Sequence, residues 1–178
     1  MRMLFELDMG DHASCTRTFR RDSARAIIIR GGRIAMVRNE KYGYYKFPGG
    51  GIEKGEDPVS AMIRETREEA GLTAIRSSVR EYGLVHRVNR SVFDRDERFV
   101  QDNYYYVCDA EESVLPPCLD DYEKDEGFSF GFVDPDAAIR TNRAMISDNT
   151  AEKTMCEREA RVLEMLKAEG YFDAVRDS

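Results

Sequence analysis

Tryptophan is absent from this 178-residue chain, and histidine occurs only twice. The four cysteines (Cys15, Cys108, Cys118, Cys156) are scattered with no C-x-x-C pair, and His12 and His86 are too few to complete a zinc site with them. Free thiols in a reducing compartment are the simple expectation. No apolar run is long enough to span a bilayer, and no basic segment leading into an apolar one opens the chain. No membrane partner and a cytoplasmic location are therefore expected. Basic charge is also short: 27 Lys and Arg stand against 34 Asp and Glu, a formal net charge of -7. A protein that grips nucleic-acid backbones needs a basic face, so nucleic acid is not expected as a partner. Small anionic ligands remain open, because a bound divalent cation reverses the local sign.

What is present is an ordinary globular composition, 42% hydrophobic and 34% charged. The length suits one domain, expected over residues 1–178, that buries a core without staples. MLFELD reads as a short first strand, followed by a polar, turn-like stretch through Arg21. ARAIIIRGGRIAMVRN places two β-rich runs around Gly31-Gly32, the composition of a tight hairpin. YYKFPGGG runs from a short aromatic strand into three glycines. Helical periodicity takes over at 57–70, followed by the extended segments TAIRSSVREYGLVHRVNR and ERFVQDNYYYVCDAE. Residues 110–126, with Pro116-Pro117, read as a long acidic loop. GFSFGFV is a strand, and DPDAAIR opens a short helix with Asp134 as cap and Pro135 at its first position. An amphipathic helix over about 148–170 closes the pattern.

One stretch resists a structural explanation. RETREEAG, residues 64–71, crowds Glu65, Glu68 and Glu69 at the end of a helix, where like charges and the dipole both disfavour them. Asp57-Pro58 starts that helix and Gly71 stops it. Val59, Met62, Ile63, Thr66 and Ala70 share its apolar face, and the three glutamates fall together away from it. A solvated acidic face balanced by Arg64 and Arg67 is one reading. A site for a hard divalent cation is the other, since magnesium takes carboxylate, carbonyl and water oxygens.

The upstream residues decide between them. GGIEKGEDPVSAMIRETREEAGL, residues 50–72, resembles the box of the Nudix hydrolase (MutT-like) family, G-x5-E-x7-R-E-U-x-E-E-x-G-U with U a bulky aliphatic. Gly50, Glu56, Arg64, Glu65, Glu68, Glu69, Gly71 and Leu72 match, and Thr66 is the one departure. At average residue frequencies, seven Gly, Glu and Arg matches arise by chance with a probability on the order of 10⁻⁹ per start. The flanking hairpin, FPGG entry and FVDPDAA extend the resemblance over about residues 23–140.

The resemblance implies an α/β (α+β) fold, a mixed β-sheet sandwiched between helices, here with an extra C-terminal helix. It implies cleavage of a small-molecule diphosphate by water attack on phosphorus, with magnesium as cofactor and manganese as the alternative. Glu68 and Glu69 would be the main metal ligands, with Glu65 at the same site and the Gly49 carbonyl joining them. Glu56 would pair with Arg64, and that pair would orient the loop, leaving Arg64 as a brace for Glu56 and not a counter-ion for its neighbours. Glu65 and Glu126 are the candidate bases. Arg38 and Lys46 are the candidate cations for the distal phosphate. The tyrosines of NYYYVC are a candidate stacking surface, and a homodimer is open. The alternatives are a nucleotide-sensing module that keeps the fold without turnover and, more weakly, an acidic calcium binder using the 110–126 loop.

Overall fold

The computed structural model describes residues 1–173, apart from the side chain of Tyr122. In chain order its strands are β1 (Met3–Asp8), β2 (Arg17–Arg20), β3 (Ser23–Ile27), β4 (Ile29–Arg30), β5 (Arg33–Asn39), β6 (Tyr44–Lys46), β7 (Gly49–Gly51), β8 (Leu72–Ala74), β9 (Arg80–Arg90), β10 (Glu97–Val107), β11 (Ala110–Val114) and β12 (Phe128–Val133). The α-helices are α1 (Pro58–Ala70), α2 (Asp121–Asp125), α3 (Pro135–Ala144) and α4 (Thr150–Ala168).

Local chemistry explains the clearest of these boundaries. Gly31 and Gly32 both have positive φ, 55° and 71°, which is what a two-residue hairpin turn between β4 and β5 demands. Helix α1 starts where Asp57 accepts hydrogen bonds from Val59 N and Ser60 N, with Pro58 in its first turn. It stops at Gly71, whose φ of 67° only glycine adopts cheaply. No side chain would fit there in any case, because a Cβ at residue 71 would fall 1.9 Å from the Leu115 carbonyl oxygen. Asn149 caps α4 through Ala151 N.

The strands build a six-stranded mixed sheet, β1-β9-β10-β3-β7 with β2 also on β10, and a four-stranded sheet, β12-β5-β4 with β6 on β5. Alternation sends neighbouring side chains to opposite faces. Ala24, Ala26, Ala35 and Tyr106 pack with Met62 and Ala70 of α1, whereas Ile27, Met36 and Tyr105 pack with Val162, Leu163 and Leu166 of α4. Both sheet faces are thus covered by helices, the α+β sandwich expected from the sequence.

Three local expectations are corrected. The stretch before Arg21 is not all turn: β2 pairs in parallel with β10. Nor is 110–126 one loop, since β11 pairs with β8 and α2 follows. Between them, Leu115 N bonds to Gly71 O and Cys118 N to Glu68 O, so this segment is strapped along the end of α1. The apolar face of α1 also includes one of the glutamates: Glu69 is buried with Ala61, Met62, Thr66 and Ala70. Thr66, fully buried, points its hydroxyl at Met62 Sδ, 3.8 Å away. Small and β-branched, it fits where a larger aliphatic was expected.

Candidate active site

A cleft of about 830 Å³ opens between α1, the β7 glycines and the surface of the six-stranded sheet. One wall is acidic. Glu65, Glu68 and Glu69 line it beside Gly49, Gly50 and Gly51, with Asp120 and Glu123 from the strapped segment. The glycines permit this approach: a Cβ on Gly50 would lie 2.3 Å from Glu65 Oε2, and one on Gly49 would strike the Ala24 carbonyl oxygen at 2.2 Å.

Two protein cations hold the carboxylates. Arg64 donates Nε and Nη2 to the two Glu56 oxygens at 3.0 and 2.9 Å, and Nη2 also reaches Gly51 O at 3.1 Å. Its remaining nitrogen, Nη1, lies between Glu65 Oε1 at 2.7 Å and Glu68 Oε2 at 3.2 Å. The brace for Glu56 is therefore present, and the expectation that Arg64 would not serve its neighbours is corrected: one guanidinium spans all three acids. Lys46 Nζ sits 2.6 Å from Glu69 Oε1, while Glu69 Oε2 accepts from Gly49 N at 3.1 Å. Burial, followed by the nearby charges of Glu69 and Glu68, holds the Glu65 carboxyl above its ordinary range despite the bond from Arg64. Glu56, hydrogen-bonded by Arg64, lies below its own.

A family model for the NUDIX domain matches residues 19–153. The chain belongs to the Nudix family. Two solved structures share its fold. The E. coli ORF135 protein covers 85% of this chain and 94% of its own at 18% identity with a TM-score of 0.57. A NUDIX hydrolase from Nitrosomonas europaea covers 81% and 90% at 18% identity with a TM-score of 0.54. An RNA pyrophosphohydrolase of Brucella ovis is 40% identical over 52 residues, 28% of this chain, and the chain spans only 29% of that relative's length.

Within this Nudix cleft, the residues singled out from the sequence divide. Gly49, Lys46, Glu65, Glu68, Glu69 and Arg64 are brought together, and Glu56 joins them through Arg64. Arg38 and Glu126 are not. Arg38 is exposed, paired with Glu40 and lying over the Tyr45 ring. Glu126 accepts a hydrogen bond from Asn39 Nδ2 at 2.6 Å, outside the cleft lining. Lys46 is inside but directed at Glu69. The Gly49 carbonyl accepts from Arg25 Nη1 at 3.2 Å. Tyr105 and Tyr106 are buried in the core, so the aromatic surface of the cleft is instead Phe19 and Phe99, their rings 6.0 Å apart, with Phe93 nearby.

The donor set suits a hard divalent cation: three carboxylates, one with raised basicity, beside a glycine backbone. As they stand, no three acidic, Cys or His side chains among the described residues converge on one cation position. Arg64 Nη1 occupies the position between Glu65 and Glu68, and Lys46 Nζ pairs with Glu69. No helix among the described residues is long and apolar enough to cross a membrane.

Proposed function

We propose that this chain is a magnesium-dependent Nudix pyrophosphohydrolase, acting throughout its length as one domain on a nucleotide-like diphosphate. The observation that carries the reading is Glu65 and Glu68 sharing a single Arg64 nitrogen beside the buried Glu69, on the wall of a cleft of about 830 Å³ with room for a nucleotide. A bound magnesium ion supplies charge neutralisation of the phosphate oxygens and a polarised water. The protein supplies the rest. Glu68 and Glu69 would hold the cation with Glu65 at the same site, and the Gly49 carbonyl would be a further oxygen. Arg64, anchored on Glu56, fixes the glutamate helix against the glycine strand. The Glu65 carboxylate is the proposed proton acceptor for the attacking water. Lys46, which pairs with Glu69 at the edge of the wall, is the proposed contact to the distal phosphate.

The name of the Brucella relative, RNA pyrophosphohydrolase, adds RNA to the candidate substrates. The test is a panel of nucleoside diphosphate and triphosphate derivatives and 5′-triphosphorylated oligonucleotides, read by released phosphate or pyrophosphate. Release is expected with magnesium, should vanish with chelator, return on adding magnesium or manganese, and rise toward alkaline pH. No release across the panel would favour a non-catalytic sensing module, and metal-independent release would contradict the magnesium dependence.

A further inference from the structure

Diphosphate hydrolysis at the glutamate wall leaves a second charge cluster, on the cleft floor, without a role. Arg25 of β3, Arg87 of β9 and Arg158 of α4 are all buried, and the Glu159 carboxylate sits with Arg158 and Arg25. Arg158 is satisfied: Nε donates to Glu159 Oε1 at 2.8 Å and Nη1 to Asn103 Oδ1. Arg25 and Arg87 are less so, and both line the cleft. Arg25 Nη1 donates to the Phe47 and Gly49 carbonyls, but its buried Nε has no hydrogen bond and stands 3.9 Å from Glu159 Oε1. Among the described residues, the one hydrogen bond from the Arg87 guanidinium is Nε to Asn89 Oδ1 at 2.8 Å. Burial, reinforced by Arg158 and Arg25 and opposed by Asp11, pushes Arg87 down to about 9. Arg25, Arg87 and Arg158 outnumber the carboxylates that face them, Glu159 and Asp11, and burying such an excess is costly unless an anion offsets it.

Sheet register places this floor relative to the glutamates. Arg87 pairs across β9–β10 with Gln101, whose Nε2 donates to Arg21 O at 2.9 Å. The Arg21 guanidinium in turn lies over Gly51, where a Cβ would fall 2.7 Å from its Nε, and the adjacent Gly50 abuts Glu65. The row from the glutamate wall through Arg21 to Arg87 thus spans three strands beyond β7, or roughly 10–14 Å at ordinary strand spacing. Phe99, 5.3 Å beneath the Arg87 guanidinium, and Phe19 offer a flat apolar surface along it.

We propose that Arg25 and Arg87, with Arg21 at the rim, form a second anion subsite for a phosphate ester group carried by the substrate away from its scissile diphosphate. The proposal rests on reading the glutamate wall as the hydrolytic site. It narrows the substrate to a nucleotide with two separated anionic ends. A purely structural Arg87 would pack on Phe99 equally well without selecting any ligand.

The test does not require turnover. Adenosine 3′,5′-bisphosphate and adenosine 5′-monophosphate, neither containing a diphosphate, are titrated by calorimetry into the full chain in magnesium buffer. The wild type is expected to bind the bisphosphate about tenfold or more tightly than the monophosphate, as befits a charge-assisted contact. Arg87→Gln should erase that preference and Arg87→Lys should retain most of it. Arg21→Gln, at an exposed position, should reduce it and serves should Arg87→Gln fail to fold. Equal binding of the two ligands by the wild type, or a preference that survives both Gln substitutions, overturns the proposal. A panel with no hydrolysis would overturn the hydrolytic reading and leave this binding ratio measurable.

Discussion

Glu68→Gln is expected to lower kcat for the cleaved diphosphate about 10³-fold, the scale of several kcal/mol that metal assistance contributes to a transition state. The substitution isolates chemistry from stability. The Glu68 side chain is 43% exposed and accepts from Arg64 Nη1 at 3.2 Å, a contact Arg64 can lose while keeping Glu56 and Gly51. Loss of one such surface contact costs within about 0.5 kcal/mol, so thermal unfolding should move by no more than about 2 °C. Glu69 would be a poorer choice. Only 2% exposed, it holds both Lys46 and the Gly49 amide, so removing it disturbs the glycine strand as well as the cation site. Kinetics on the best panel substrate, together with a melting curve, check the expectation.

Glu159→Ala should produce the largest loss of stability, about 3–5 kcal/mol, because it strands Arg158 and Arg25 in the interior and frees the Phe47 amide. For a chain of this size that corresponds to a fall in Tm of about 10 °C or more. The same residue gives a pH dependence. Burial alone would raise the Glu159 carboxyl, but Arg158 and Arg25 outweigh it and hold the group below its ordinary value of 4.5. A carboxylate depressed in the folded state adds stability that is fully present above its unfolded value and is lost as the pH falls through the folded one. Wild-type Tm should therefore drop below about pH 4.5, and the difference between wild type and Glu159→Ala should shrink over the same range. Calorimetric melts from pH 3 to 7 test both parts.

The features legible in the sequence are those specified locally. Asp57-Pro58, Gly71 and Gly31-Gly32 each dictate backbone geometry within a few residues, so α1 and the first hairpin fall where expected. The glutamate spacing likewise fixes which side chains share the cleft wall, since three and four residues along a helix are neighbours. What was not legible depends on contacts far apart in sequence. Arg158 and Glu159 sit in the helical stretch CEREARVLEML, where charges at that spacing normally mark the solvent side. Only the approach of Arg25 and Asn103, 55 or more residues away, makes the interior their place. Phe19 and Phe99 meet because β2 joins β10 in parallel, a pairing across 80 residues that no local pattern announces. Glu126 precedes the GFSFGFV strand, but α2 forms just ahead of it, and Asp120 before that helix and Glu123 within it line the cleft instead. The several partners of Arg64 are likewise set by the fold, which brings Gly51 and Glu56 against the helix that carries Glu65 and Glu68. A guanidinium has five donors, and here it uses them on three acids and a carbonyl.

The most direct measurement is a manganese titration of the full chain followed by electron paramagnetic resonance of the free ion. A cation site built on Glu65, Glu68 and Glu69 predicts saturable manganese binding, displaced by magnesium and weakened at least about tenfold in Glu68→Gln. Binding of undiminished affinity in that variant, or no binding by the wild-type chain, would contradict it.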